Sequence, residues 1–344
     1  MEKSIGELGE FGLIGLIASI LEQQEGSSSK GIVLGIGDDA AAFRPNPGYE
    51  ILVTCDSVVE GRHYLPQHIT SFELGRRAMA LNISDIGAMG GRPLYALVSL
   101  GLRTDMLVAD LEAMYRGFLK ELIPFGAFII GGNLTRVEGS LFIDITLIGE
   151  VQAGKIVGRS GAKPGDAIIV TGYPGEASAG LQLLFKESQS NREILHDPLV
   201  RTYILPSHRA VEGQAVAATG LATAMIDISD GLLGDLGHIC KESRTGAVVE
   251  LGKLPVSGDL RMAASRLGLD PLNLVLGPSD DYELIITCPP SAAGEIRSAI
   301  SQVSDVIVTE IGKIAEPGTG IRLLRPDGEL EKASPSGWNH FQGP

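Results

Sequence analysis

Short apolar runs of strand length and longer amphipathic helical patterns are mixed along this chain, without the strict strand–helix–strand alternation of a parallel sheet, and the mixture occurs twice. Apolar residues at helical spacing run from Glu10 to Gln24, and the polar run Gly26-Ser27-Ser28-Ser29-Lys30 after them reads as a loop. Strand-like segments follow at 32–36, 50–55 and 94–101, with helical patterns at 72–90 and 108–125. Apolar runs at 127–130 and 141–149 complete a first unit near residue 153. The turn-rich segment 160–166 opens a second, with strands at 167–171, 223–227, 247–251, 283–288 and 306–314 and helices from Glu176, Ser207 and Ser229. The pattern predicts an α+β fold rather than a doubly wound sheet. At 344 residues the chain exceeds what one core usually serves, which agrees with two domains, 1–153 and 154–344.

Charge narrows the partners. A formal net charge of -14 argues against nucleic acid and anionic membranes, both of which need a basic footprint. If the substrate of so acidic a chain is itself anionic, metal ions have to stand between them. Cys55, Cys240 and Cys288 are far apart and form no CxxC pair, so neither a disulfide framework nor a thiolate zinc site is expected. The apolar stretch from Phe11 to Leu21 is about half of what spans a bilayer, and it follows Glu2, Glu7 and Glu10 where a signal peptide would be basic. A reducing, cytoplasmic setting is the expectation.

No GxxxxGK[ST] loop is present, and Gly35-Ile36-Gly37 runs into two aspartates that would repel a pyrophosphate. HExxH, GxSxG and the kinase HRD/DFG set are also missing. What the sequence offers instead is aspartates where apolar runs hand over to loops: Asp38, Asp39, Asp56, Asp85, Asp227 and Asp230. Oxygen ligands in this number, without accompanying His or Cys, suit Mg²⁺ or Mn²⁺. Each alone could be a turn or cap residue, and Ser229 is a good N-cap for its helix. Asp85 is different, because it lies in a helical pattern among Ala78, Ile86 and Met89, where an unpaired carboxylate is costly to bury. Gly131-Gly132-Asn133 ends a strand and could let backbone approach a phosphate; Gly172-Tyr173-Pro174-Gly175 could do so or be a plain turn.

Eight segments in order carry a family resemblance: GIGDDAA (35–41), TCDSVVEGRHY (54–64), LGRRAMALNISDIGAMGGRP (74–93), IGGNLTR (130–136), GRSGAKPGD (158–166), MIDISDGLLGDLGH (225–238), DDYEL (280–284) and GWNHF (337–341). Together they resemble the thiamine-monophosphate kinase family, in the superfamily of aminoimidazole ribonucleotide synthetase, selenophosphate synthetase and a hydrogenase-maturation protein. The resemblance implies a two-domain PurM-like fold that dimerises through N-terminal sheets, with ATP and thiamine monophosphate as substrates. It implies that Asp38, Asp56, Asp85, Asp227 and Asp230, with Asp39 beside them, hold Mg²⁺ against the ATP phosphates. It gives Arg159, Ser229 and Tyr115 to ATP, along with Thr54, Cys55, Gly132 and Asn133, and gives His63, Asp280 and Trp338 to thiamine phosphate. Trp338 would stack on a cationic or pyrimidine ring.

The chain departs from the family at three places. Asn133 replaces an aspartate and so supplies a neutral amide oxygen to a metal, Cys55 stands where Thr or Ser is usual, and Pro278-Ser279-Asp280-Asp281 replaces Gly-Gly-Glu-Asp. The alternative reading is a non-catalytic or different-acceptor ATP-binding member of the superfamily. Residues 1–30 lack the reactive cysteine of a selenophosphate synthetase, and the last residues lack the cysteine tail of the maturation protein.

Overall fold

The computed structural model describes residues 3–22, 31–188 and 192–333. The chain divides into two compact units, Met1–Ile86 with Gly91–Gly154, and Gly87–Gly90 with Lys155–Pro344. Strands and helices are mixed in both, as an α+β fold requires.

The first unit opens with α1 (Ile5–Glu22), which starts earlier than its apolar spacing predicts. The cause is a capping box: Ser4 Oγ accepts the Glu7 N–H at 3.3 Å, and the Glu7 carboxylate accepts the Ser4 N–H at 2.8 Å. Strands β1 (Ile32–Leu34) and β2 (Ala42–Phe43) pair antiparallel, so the GIGDD segment is the connection between them. Then come β3 (Tyr49–Val59), α2 (Ser71–Ala88), β4 (Arg92–Leu102), α3 (Val108–Leu122), β5 (Phe128–Arg136) and β6 (Phe142–Gln152). The four long strands form a sheet in the order β3-β6-β4-β5, antiparallel except for β4 and β5, which α3 connects. Along β6, Ile143, Ile145 and Leu147 are fully buried while Asp144, Thr146 and Ile148 between them are only partly so. One face of the sheet is therefore core and the other is not.

Ile86 on α2 lies against that core face, where a Cβ on Gly149 would stand 2.6 Å from it. Helices α2 and α3 cross with their backbones in contact: a Cβ on Gly75 would meet Met114 O at 2.1 Å, and one on Gly117 would meet Phe72 O at 2.2 Å. From Arg77 to Ala88 almost every residue of α2 is buried, including Asn82 and Ser84, which is unusual company for Ile83 and Ile86.

The second unit contains β7 (Ala167–Thr171), α4 (Glu176–Glu187), α5 (Pro198–Ile204), α6 (Ala210–Thr219), β8 (Ala224–Asp227), α7 (Leu232–Ser243) and β9 (Gly246–Glu250). It continues with α8 (Gly258–Leu267), α9 (Pro271–Leu276), β10 (Leu284–Cys288), α10 (Ala293–Ser301), β11 (Val308–Ala315), β12 (Ile321–Leu324) and β13 (Leu330–Lys332). Its seven-stranded sheet has the order β13-β12-β9-β11-β7-β10-β8, with only β12 and β9 parallel. Every residue of β7 and β10 is buried, which explains why both read as unbroken apolar runs. Ile169 and Ile286 pack with Val216 of α6 and Ile296 and Ile300 of α10 in one core. Helices α5 and α9 escape a search for periodicity because they are only two turns long. Each is announced by Asp-Pro, with Asp197 or Asp270 accepting an N–H of its own first turn.

Candidate active site

Along β3, Leu52 and Val58 face the core, and alternation places Thr54 and Asp56 on the same face. Asp85 reaches that face from α2, and Thr54 Oγ1 donates a short hydrogen bond to its Oδ2. Asn82, one turn earlier and fully buried, accepts the Asp56 N–H at 3.2 Å while its amide donates to Ala78 O at 3.1 Å. Burial, then the neighbouring Asp85 and Asp144 charges, push the Asp56 carboxyl above the usual carboxylate range. The two carboxylates repel each other as anions, and with the Thr54 hydroxyl they present only hard oxygens, a donor set that fits Mg²⁺ or Mn²⁺.

The neighbouring row of the sheet faces the other way. In register across the strands it reads Ser57, Asp144, Ser99 and Asn133, whereas Asp56 is level with Ile145, Val98 and Gly132. Side chains one residue apart on a strand point to opposite faces. Asn133 is thus one residue out of step with Asp56 and level with Asp144, whose charge still reaches Asp56. Cys55 belongs to the same outer face, its Sγ 3.7 Å from both Asp144 oxygens, and Ser57 Oγ donates to Asp144. Gly132 is exposed on the edge strand β5.

Asp38 and Asp39 sit exposed between β1 and β2, where Asp38 accepts the Asp39 N–H at 2.8 Å. His63 Nδ1 accepts the Val59 N–H at 3.0 Å, which fixes the turn after β3 and leaves Nε2 as the protonated nitrogen. Tyr115 is only 3% exposed and stands edge-on to Phe118 at 5.3 Å. Trp338 lies outside the described residues.

In the second unit Asp227 ends β8, 2% exposed, and Ser229 and Asp230 follow in a turn. Ser229 does not cap α7, which begins at Leu232 with Gly231 before it at φ 114. The first-turn residue Asp235 takes over: one of its oxygens accepts the N–H groups of Ser229 and Asp230 at 3.0 Å and of Gly231 at 3.1 Å. Burial nevertheless lifts its carboxyl to about 7. Asp230, Asp235 and His238 bring one donor atom each within 4.8 Å of one another. Arg159 is exposed, and its carbonyl accepts the Ser243 hydroxyl at 3.2 Å.

Asp280 is half-buried at the head of a segment whose next three residues are all buried. Tyr282 holds φ 55, a left-handed conformation that costs a bulky residue on the order of 1–3 kcal/mol. Its neighbours anchor it. The Asp281 carboxylate accepts Gly175 N–H at 2.6 Å and Ala177 N–H at 2.9 Å at the start of α4, and Glu283 pairs with Arg209.

Burial holds the Asp281 carboxyl up, at about 7, against the N–H donors that favour its charge. In the unfolded chain it ionises near pH ~4. Between about pH 4 and 7 the folded state therefore binds the extra proton, so its contribution to stability falls as pH rises through that window. Asp281→Asn is expected to flatten the dependence of Tm on pH there; a variant keeping the wild-type slope would show that another group sets it.

Asn82, Asp144, Asp235, Arg209 and Glu283 are the site residues that sequence reasoning missed. Asp235 had a signal, since it lies one helical turn after Gly231 in Ser229-Asp230-Gly231-Leu232-Leu233-Gly234-Asp235. Asn82, three residues before Asp85 on the same helix, had one too. Arg209 and Glu283 are 74 residues apart and had none.

Residues 37–151 match the family described as AIR synthase related protein, N-terminal domain, and residues 163–323 match AIR synthase related protein, C-terminal domain. The chain is 37% identical over 339 residues to the thiamine-monophosphate kinase of Escherichia coli (strain K12), covering 98% of this chain and 99% of the relative. Among solved structures it is similar to the thiamine-monophosphate kinase from Stenotrophomonas maltophilia, with 32% identity, a TM-score of 0.79 and coverage of 94% and 98% of the two chains. It is also similar to AaThiL complexed with AMPPCP and TMP, with 32% identity, a TM-score of 0.74 and coverage of 97% and 98%. With likeness of this degree along nearly its whole length, and the motif carboxylates carried within β3, on the buried helix α2 and at the end of β8, the chain belongs to the thiamine-monophosphate kinase family of AIR synthase related proteins.

Proposed function

We propose that the chain transfers the γ-phosphoryl group of ATP to the phosphate of thiamine monophosphate, giving thiamine diphosphate and ADP. The observation that carries this reading is the paired Asp56 and Asp85, with the Thr54 hydroxyl between strand and helix, on a buried scaffold. The relatives named for this reaction, and a family structure complexed with AMPPCP and TMP, support the choice of substrates. An oxygen of the acceptor phosphate attacks the γ-phosphorus as the bond to the β–γ bridging oxygen breaks, and ADP leaves with that oxygen. The attacking oxygen is already ionised at neutral pH, so no general base is needed and positioning and charge neutralisation do the catalysis.

Thr54, Asp56 and Asp85 would hold Mg²⁺ or Mn²⁺, and Asp38, Asp39, Asp227 and Asp230 are proposed as further carboxylate ligands. When bound, such ions neutralise phosphate charge. Arg159, exposed and cationic, is assigned to the ATP phosphates, Ser229 to ATP, and His63 and Asp280 to the thiamine phosphate. A second copy of the chain is the proposed partner. It would sit on the outer face of the four-stranded sheet, where Ile51 is 37% and Val53 64% exposed. Sedimentation as a species of one chain's mass would exclude that pairing. No helix among the described residues is long and apolar enough to cross a membrane, and all three cysteines are free thiols, which suits the cytoplasm.

The test is to incubate the purified protein with Mg²⁺, ATP and thiamine monophosphate and follow thiamine diphosphate by its fluorescent oxidation product. Product that requires Mg²⁺ and does not form from free thiamine is the expected result. ATP binding without product would point to the alternative, a family member that has lost catalysis or uses another acceptor.

A further inference from the structure

Glu283 is 6% exposed, yet it is charged and sits at the head of β10. Arg209, just before α6, meets it with a two-pronged fork: Nε lies 2.6 Å from Oε2, and Nη2 donates to Oε1. Thr171 Oγ1 donates to Oε2 at 2.6 Å and accepts the Leu284 N–H at 2.8 Å. The carboxylate is so closely enclosed that a Cβ on Gly172, itself at φ 59, would stand 2.0 Å from Oε1.

The backbone around this pair ties two turns together. Glu283 O accepts the Ile228 N–H at 2.7 Å, and Tyr282 N–H donates to Ile228 O at 2.8 Å. Ile228 lies between Asp227 and Ser229, so the turn bearing Asp227 and Asp230 is bonded directly to the segment bearing Asp280. That segment is also held from its other end, by Asp281 on α4 and by Ser279 Oγ, which accepts Ser178 N–H at 3.1 Å. Between the anchors Tyr282 is kept at φ 55, which an unheld tyrosine would leave.

A buried ion pair is a poor way to gain stability, since apolar residues of the same volume often serve as well or better. A planar fork does fix one orientation, which an apolar contact does not. We propose that Arg209 is a positioning residue: through Glu283 it holds the Asp227–Asp230 turn and the Asp280 segment in a single arrangement. Its bearing on turnover rests on the phosphoryl-transfer reading above.

The test removes both charges. Arg209→Met alone strands a buried carboxylate, so the double variant Arg209→Met with Glu283→Leu is compared with the wild type, alongside Glu283→Gln, which keeps the shape. In the double variant Tm should stay near the wild-type value. The amides of Ile228 and Tyr282 should exchange at least about tenfold faster, and kcat for thiamine diphosphate formation should fall about 10²-fold with KM for ATP within about twofold. Glu283→Gln should show the same two changes at smaller size. Unchanged exchange overturns the proposal, as does faster exchange with wild-type kcat, which would make the pair ordinary core. If the wild type itself forms no thiamine diphosphate, the phosphoryl-transfer reading fails, and the exchange rates still decide whether Arg209 holds the two turns.

Discussion

Asp85→Asn is expected to lower kcat for thiamine diphosphate formation by about 10³-fold while leaving Tm at or above that of the wild type. The two halves of this expectation have different causes. An amide oxygen can still accept the Thr54 hydroxyl, and asparagine has nearly the volume of aspartate, so the packing of α2 against the sheet is kept. The Asp56 carboxyl, held up first by burial and then by the Asp85 charge, loses one source of repulsion and moves back toward its ordinary range. In an aspartate so shifted, the raised folded-state value destabilises the protein at neutral pH, so relieving it adds stability there. Catalysis instead loses charge where a divalent cation and the phosphates would be held. Steady-state kinetics beside differential scanning calorimetry checks both. A matching fall in Tm and turnover would mean that Asp85 serves the fold alone.

Asp85 is also the clearest case of what the sequence carried. Its apolar neighbours marked it as a charge in need of a partner, and the structure supplies the Thr54 hydroxyl while setting Asp56 beside it as a second anion. The long strands and helices were legible for the same reason, because periodicity survives over ten or more residues. Length was less so: β3 runs to Val59 and β5 to Arg136, through polar stretches that sheet pairing makes extended although their composition does not. Facing was the harder question. Asn133 and Asp56 read alike as metal ligands, and only the register of four strands shows that Asn133 is level with Asp144 and Asp56 with Gly132. Ser229 read as a cap because serine is a good one, but the competing carboxylate of Asp235 lies inside the helix, where local pattern does not look for it. The Arg209–Glu283 fork joins distant segments and leaves no local trace at all.

Gly117→Val is expected to show the reverse of the Asp85 signature, a loss of about 3 kcal/mol in unfolding free energy with kcat of the folded protein changed only a few-fold. Helices α2 and α3 touch backbone to backbone at this crossing. A Cβ on Gly117 would stand 2.2 Å from Phe72 O and 2.8 Å from Arg76 N, atoms that cannot turn aside as a side chain would. The helices have to separate, and α3 carries Met114, Phe118 and Leu122, all with 0% exposure, so separation loosens a core that cannot refill. Asp85 is ten residues beyond Gly75 on α2, about 15 Å along the axis. It is held at its own end by Thr54 and by Ile86 against Gly149. Strain at the crossing should therefore reach it weakly. Urea unfolding with turnover measured well below the transition separates the two effects. Wild-type stability would mean that the crossing is not so close, whereas kcat falling as far as in Asp85→Asn would mean that α2 transmits the displacement as a rigid rod, and the Asp56–Asp85 pair tolerates less movement than its local anchors suggest.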